Sequence, residues 1–130
     1  MKEILVVDDD PGFRIPLVDI LRLEFPKERF RGVADFDCAG ALLDEQMAKV
    51  MLLDICLQGS GGAHHGHALL AMARDYQVPV IVISGSEAEL QTARETHEAI
   101  AHVLKDATPQ SFTRIVAALK LILVAINGHE

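Results

Sequence analysis

The stretch that most constrains the fold of this chain is the apolar run VMLLD at residues 50–54, which ends in the carboxylate of Asp54. The glycine-rich segment ICLQGSGG follows it directly. A short apolar run bounded by turn residues is typical of a buried strand in a parallel sheet. Asp54 is then expected at the carboxyl end of its strand, where open α/β sheets place their ligands. Because a buried charge costs free energy unless it has partners or a metal, the neighbours of Asp54 become the central question.

The rest of the chain alternates short apolar runs with amphipathic ones, which predicts five strand–helix pairs. The strands are predicted at Glu3–Val7, Arg29–Ala34, Val50–Asp54, Val78–Ser84 and Ile100–Leu104. The helices are predicted from Pro11 to before Pro26, from Asp35 or Asp37 to about Met47, and at His67–Tyr76, Glu87–His97 and Thr108–Asn127. Pro16, inside the first helix, predicts a local kink or a late start. The strict alternation predicts an α/β domain, a doubly wound parallel sheet with helices on both faces.

Composition limits the classes of function that the chain can serve. Its 130 residues suit one domain, and the 50% of hydrophobic residues allow a packed core. A net charge of −7 without a basic cluster argues against direct nucleic-acid binding. No apolar run approaches the roughly 18 residues of a membrane span, and the N-terminal MKEILVVDDD is unlike a signal peptide. We therefore expect a cytoplasmic protein that binds neither nucleic acid nor membrane.

Four of the predicted strands end in polar side chains at the same edge of the sheet. These are Asp8 and Asp9, Asp54, Ser84 and Lys105. Several carboxylates cannot all be ionised in one small site unless a cation lies among them, and Mg²⁺ prefers oxygen ligands of this kind. A lysine adds positive charge for phosphate oxygens, and an aspartyl phosphate is an established covalent intermediate. The pattern therefore indicates phosphoryl transfer to a carboxylate, assisted by Mg²⁺.

Nearly the whole chain resembles a response-regulator receiver domain of bacterial two-component signalling, similar to the chemotaxis regulators. The segments that carry the resemblance are ILVVDDDPGF, LLDICLQG, PVIVISG and HVLKD. The resemblance implies a flavodoxin-like (βα)5 fold with strand order 2-1-3-4-5 and Asp54 as the phosphoacceptor. It also implies that Asp9 and Asp54 bind Mg²⁺ directly, Asp8 mainly through water, and Cys56 through its backbone carbonyl.

The same resemblance implies what the site does. Ser84 would be the switch hydroxyl, Lys105 would contact the phosphate, and His102 stands where the family often has a switch aromatic. The chain is then a regulatory phosphoacceptor that assists its own phosphorylation and dephosphorylation, rather than an enzyme. Its partners would be a sensor histidine kinase or phosphotransfer protein and, through the fourth helix, fifth strand and fifth helix, an effector or a second copy. We expect a single receiver domain over residues 1–130 and no output domain in this chain.

Several positions depart from the family pattern. Gln58 stands where a proline is usual, and the usual loop glycine falls on Gly62 or, with an insertion, on Gly66. Asp106 replaces the usual proline after the lysine. Since a cis bond is costly without proline, we expect a trans bond or an altered loop there, and a carboxylate that competes for Lys105.

Two surface features are expected to contact partners. His64, His65 and His67 lie in a glycine-rich segment without the ligand spacing of a metal site, so an exposed loop that touches a partner is the interpretation we favour. The final helix is apolar on all sides, which predicts a second covered face unless its small alanines exaggerate the pattern.

Two other functions compete with a phosphorylated switch. The altered loop and the step from Lys105 to Asp106 allow a pseudo-receiver, which has the same fold but acts as an unphosphorylated interaction module. A Mg²⁺-dependent phosphohydrolase would also form an aspartyl phosphate, but Asp54 is followed by Ile-Cys instead of the DxD-type pattern of those nucleophiles. The complete acidic set favours the switch.

Overall fold

The computed structural model of the protein describes residues 2–55, 65–85, 87–88, 90–91, 101–106 and 108–127. Its elements run in the order β1 (Glu3–Val7), α1 (Pro11–Glu24), β2 (Phe30–Val33), α2 (Phe36–Asp44), β3 (Ala48–Asp54), α3 (His65–Asp75), β4 (Val80–Ser84), β5 (Ala101–Leu104) and α4 (Gln110–Asn127). The five strands form one parallel sheet in the order β2-β1-β3-β4-β5. The predicted fold class and strand order are thereby confirmed. Residues 87–88 and 90–91 are helical, and the rest of the helix predicted at Glu87–His97 lies outside the described residues.

Apolar side chains cover both faces of the sheet, because successive residues of a strand point to opposite sides. One face packs against α2 and α3 through a buried cluster that includes Leu5, Leu53, Leu43 and Leu69. The other face packs against α1 and α4 through a cluster that includes Ile4, Leu52, Leu17 and Leu119. Since β1, β3 and β4 are covered on both faces, they appear in the sequence as unbroken apolar runs.

Two aspartates begin helices. Asp10 caps α1, its Oδ1 accepting a hydrogen bond from the Gly12 amide at 2.9 Å, and Pro11 occupies the first turn. Asp35 caps α2 by accepting from the Cys38 amide at 2.8 Å. That hydrogen bond lowers the pKa of the Asp35 carboxyl from its usual value. Because α1 already begins at Pro11, the expected late start does not occur.

A glutamine in the left-handed conformation ends α2. Gln46 has a φ of 56°, and the next amide, that of Met47, donates to the Leu42 carbonyl at 3.0 Å. This arrangement is the usual C-terminal cap of a helix, although glycine is the residue that normally adopts it. The helix therefore ends at Asp44, before the predicted Met47. The prediction ran too far because no glycine in the sequence marks the end of the helix. Gln77 repeats the arrangement after α3, with a φ of 59°.

The histidines of the glycine-rich segment are placed differently from the prediction. His65 and His67 lie in the first turn of α3 and are half-buried, so the expectation of exposure is wrong for both. The loop expectation is wrong for His65, because the helix predicted from His67 already begins at His65. The physical reason is an aromatic contact: the His65 ring stacks on Phe36 of α2, with 4.5 Å between ring centroids. His64 lies outside the described residues.

Helix α4 is apolar on its outer side as well as on its inner side. Ile115 and Leu119 are buried against the sheet, whereas Leu121 is 74% exposed and Val124 66% exposed. By length and composition α4 could cross a membrane, which corrects the expectation that no segment is apolar over that length. Core helices of soluble proteins can be equally long and apolar, and the inner face of α4 belongs to the core.

Asp35→Ala is expected to destabilise the protein by about 1 kcal/mol at pH 7, because the first turn of α2 loses its cap. Asp35→Asn is the matched control, since asparagine caps helices about as well as aspartate. The measurement is the free energy of unfolding from urea denaturation of both variants and the wild type. An equal loss in the two variants would contradict the capping role.

The same comparison has an expected pH dependence. The folded-state pKa of Asp35 is lowered, so the contribution of the carboxylate is present above its ordinary pKa of 3.8 and is lost as the pH falls through the folded value. The difference in stability between wild type and Asp35→Ala should therefore narrow below about pH 4. A difference that grows in acid would contradict this sign.

Candidate functional site

The carboxyl edge of the sheet brings together four side chains that the sequence singled out. Asp8 follows β1, Asp54 ends β3, Ser84 ends β4 and Lys105 follows β5. Asp8, Asp54 and Ser84 are 2%, 6% and 0% exposed. The Lys105 amide donates to the Ser84 carbonyl at 2.7 Å, which continues the β4–β5 pairing beyond the end of β5. The parallel topology thus forms a crevice that is buried and lined by charges.

Lys105 is the cation of this crevice. Its Nζ donates to Asp8 Oδ2 at 2.9 Å and to Asp54 Oδ2 at 3.5 Å, and it lies 4.0 Å from Asp10 Oδ2. Burial by itself would lower the pKa of Lys105, but the hydrogen bond to Asp8 and the charges of Asp8 and Asp54 outweigh it, so the pKa is raised. Lys105 is therefore an ammonium ion held between two carboxylates.

Asp8 is fixed from several directions. Its Oδ1 accepts a hydrogen bond from the Asp10 amide at 2.9 Å, which leaves Oδ2 for Lys105. Its backbone carbonyl accepts from Arg14 Nη1 at 2.7 Å. The stem of Arg14 lies against Gly32 of β2, where an added Cβ would be 3.3 Å from Arg14 Cδ. A glycine in this strand therefore leaves room for the arginine that holds Asp8 in place.

Three carboxylates of the site could hold a cation together. Oxygen atoms of Asp8, Asp9 and Asp54 all lie within 4.8 Å of one another, with Asp8 and Asp54 buried and Asp9 half-buried. Carboxylate oxygens are the ligands that Mg²⁺ prefers, so the donor set fits that ion. Cys56, whose backbone carbonyl the family resemblance adds to the set, lies outside the described residues.

Sequence reasoning missed two residues of the site. Phe13 and Arg14 follow the acidic run in the first turn of α1, and the ring centroid of Phe13 lies 4.5 Å from the Nζ of Lys105. Phe13 is buried in the same apolar cluster as Leu17 and Leu21 of α1. Only the three-dimensional placement of the Lys105 side chain over the ring reveals this contact.

Two family departures can be placed. The bond after Lys105 is trans, as expected, since no cis peptide bond occurs among the described residues. Asp106 does not take Lys105 from the site. Its Oδ1 accepts hydrogen bonds from the amide and hydroxyl of Thr108, at 2.9 and 2.6 Å, and its Oδ2 lies 3.8 Å from Arg114.

His102, which stands at the position of the switch aromatic, lies on β5 opposite Val82 and is half-buried.

Gly66 lies where the backbone of α3 meets the end of β3. A Cβ at this position would be 2.1 Å from the carbonyl oxygen of Ile55, the residue after Asp54. Real Cβ atoms do not approach so closely, so only glycine fits here. Of the two sequence alternatives for the loop glycine, Gly66 has a clear structural requirement, and Gly62 lies outside the described residues.

Comparison with known families identifies the class of protein that this fold and site define. The family model described as the response regulator receiver domain matches residues 4–117. The chain belongs to the response regulator receiver domain family. No curated protein matches the chain significantly.

Solved structures show the same fold. A CheY-like response regulator receiver domain protein from Methanospirillum hungatei superposes with a TM-score of 0.75 at 22% identity, covering 100% of this chain and 99% of that one. The N-terminal domain of a response regulator/sensory box/GGDEF three-domain protein from Carboxydothermus hydrogenoformans gives 0.72 at 23% identity, covering 96% and 99%. A de novo designed Rossmann 2x3 fold protein gives 0.74 at 12% identity, covering 92% and 90%. Since a designed protein matches as well, these likenesses establish the fold and not the activity.

Gly66→Ala is expected to destabilise the protein by about 1–3 kcal/mol, because the new methyl group would overlap the Ile55 carbonyl and force β3 and α3 apart. Gly40→Ala in α2 is the control. Its added Cβ would lie 3.6 Å from Met72 Cε, an ordinary contact, so the better helix propensity of alanine should stabilise that variant by up to about 1 kcal/mol. Denaturant unfolding measures both, and a neutral Gly66→Ala would show that the close approach is absent.

Proposed function

We propose that the protein is a phosphorylation-dependent switch of a two-component system in which Asp54 accepts a phosphoryl group. The observation that carries the proposal is the buried crevice itself, where three clustered carboxylates face one ammonium ion. The phosphoryl donor would be the phosphohistidine of a sensor histidine kinase or of a phosphotransfer protein. Membership of the receiver family supports this assignment, since regulatory phosphoacceptors are what the family comprises.

Asp54 is the residue best suited to be the acceptor. An oxygen of its carboxylate would attack the phosphorus of the donor while the phosphorus–nitrogen bond breaks, and the departing imidazole would keep the bonding electrons and take a proton from solvent. Lys105, whose Nζ is already 3.5 Å from Asp54 Oδ2, would offset the negative charge of the incoming group. Ser84 would hydrogen-bond a phosphoryl oxygen, a contact that exists only after transfer.

Mg²⁺ is the cofactor that the acidic set supports. Asp9 and Asp54 would bind it directly, Asp8 mainly through water, and Cys56 through its backbone carbonyl. When bound, the ion offsets the repulsion between the phosphoryl group and the carboxylates. Residues of this chain hold the carboxylates in place and offset their charge. Arg14 and the Asp10 amide fix Asp8, and the ammonium group of Lys105 offsets the negative charge of the crevice.

The phosphorylated form would differ from the resting form through new contacts at Ser84 and Lys105. Such differential contacts shift a population between two conformations, which is how a local charge change becomes a signal. The output surface would be formed by the predicted helix Glu87–His97, by β5 with its half-buried His102, and by α4. This surface would bind an effector or a second copy of the chain. In keeping with its family, the protein would work in the cytoplasm, without direct contact with nucleic acid or membrane.

A pseudo-receiver that is never phosphorylated is the alternative. Its support was the altered loop and the carboxylate of Asp106, but Asp106 is engaged by Thr108 and Arg114 and leaves Lys105 in the crevice. The intact crevice therefore favours the switch.

The proposed function predicts a covalent adduct. Incubation with Mg²⁺ and acetyl phosphate should add the mass of one phosphoryl group to the wild type, measured by intact-protein mass spectrometry, and none to Asp54→Asn. Asp19→Asn, an exposed change on α1, is the matched control and should be modified like the wild type. Because Asp54 is where the nucleophilic oxygen lies, its loss should abolish the adduct rather than slow it.

The other outcomes decide between the alternatives. No adduct on a folded wild type in the presence of Mg²⁺ would support the pseudo-receiver. An adduct on Asp54→Asn equal to that on the wild type would place the acceptor elsewhere and overturn the assignment. An adduct on the wild type that forms equally without Mg²⁺ would contradict the proposed cofactor.

A further inference from the structure

One aromatic side chain joins the crevice to α4. The ring of Phe13 is 8% exposed, and its centroid lies 4.5 Å from the Nζ of Lys105. A cation within about 6 Å of a ring centroid is attracted by the electron-rich face of the ring. Phe13 is therefore an uncharged partner of Lys105, beside the carboxylates of Asp8, Asp54 and Asp10.

The contact with the Phe13 ring differs in kind from the ion pairs of Lys105. The carboxylates of Asp8 and Asp54 belong to the set that suits a metal, and Asp54 would also be the acceptor, so each has another partner to bind during the proposed reaction. The Phe13 ring is uncharged and binds none of these groups. Its attraction for the ammonium ion thus remains constant while the charges on the other side of Lys105 change.

The ring of Phe13 is itself held in place. It stacks on Phe112 in the first turn of α4, with 5.1 Å between centroids and 17° between ring planes. Phe13 also lies three residues after the Asp10 cap, and its amide donates to the Asp10 carbonyl at 3.1 Å. The stacking restricts the ring and the hydrogen bond restricts the backbone that carries it, which favours one orientation of the ring face toward Lys105.

We infer that Phe13 is a positioning residue for Lys105: the face of its ring, backed by Phe112, holds the ammonium ion beside Asp54. The effect on phosphorylation rests on the proposed function, whereas the positioning of the lysine does not. The inference therefore has one test that is independent of phosphorylation and one that depends on it.

The independent test is nuclear magnetic resonance of the lysine side chains in the full chain. Protons that lie over an aromatic face are shifted upfield by the ring current, so the ε-methylene protons of Lys105 should be displaced from the usual lysine position. Phe13→Leu, which keeps an apolar side chain in the core, should return them to that position. The resonances of Lys49, whose Nζ pairs with Glu28 Oε1 at 3.0 Å, should be the same in the wild type and in Phe13→Leu. An unshifted Lys105 in the wild type would overturn the inference.

The dependent test changes the electrons of the ring and not its shape. Site-specific replacement of Phe13 by 3,4,5-trifluorophenylalanine removes the attraction for a cation, and the rate of adduct formation with Mg²⁺ and acetyl phosphate should fall about two- to fivefold. The same replacement at Phe30, which is buried in the same cluster but packs against Phe25, should leave the rate unchanged. In a Lys105→Gln background, the replacement at Phe13 should have no further effect, because there is no cation to position.

The two tests separate failure of the inference from failure of the proposed function. A wild type that forms no adduct but shows the shifted Lys105 resonance contradicts the phosphorylation proposal and supports the positioning by Phe13. A wild type that is phosphorylated, with no change on fluorination of Phe13, contradicts the inference alone. A rate loss that persists in the Lys105→Gln background would show a purely structural role and would also overturn it.

Discussion

The site depends on the compensation of charge in a buried crevice. Asp8 and Asp54 are almost without solvent, and Asp9 lies close enough for the three carboxylates to share one cation. Like charges at such short distances cannot all remain ionised without a positive partner. Lys105 provides that partner in the structure, and its raised pKa shows that the attraction exceeds the cost of its own burial. Any ligand of the crevice must therefore preserve this balance of charge.

The fold brings these charges together because they lie at the carboxyl ends of parallel strands. Four parallel strands bring their last residues to one edge, so side chains separated by up to 97 positions in the sequence come within hydrogen-bond distance, as Lys105 and Asp8 do. The surrounding contacts keep the edge in register. Arg14 crosses Gly32 to hold the Asp8 carbonyl, and Gly66 lets α3 approach the residue after Asp54. These supports come from α1 and α3, on opposite faces of the sheet.

Much of this arrangement could be predicted from the sequence, because the strands are apolar runs and their polar ends are abrupt. The alternation of strands and helices, their common edge, the helix start at Pro11 and a helix cap at Asp35 or Asp37 follow from patterns of a few residues. The strand order follows from the family resemblance. The end of α2 could not be predicted, since a glutamine adopts the conformation that glycine usually marks. The contact between Phe13 and Lys105 could not be predicted either, because it joins two residues that are far apart in the sequence and depends on where the lysine side chain lies. His65 was misplaced in a loop because its stacking partner, Phe36, is distant in the sequence.

The burial of the Lys105–Asp8 pair also determines how the protein responds to ionic strength. In the surface pair between Arg31 and Glu3, the arginine side chain is 52% exposed, so dissolved ions can weaken the attraction over a Debye length of about 8–10 Å. The side chains of Lys105 and Asp8 are only 17% and 3% exposed, so mobile ions have little access to them. The electrostatics within the crevice are thus insulated from changes in salt, whereas encounters between the acidic surface of the protein and a charged partner are not.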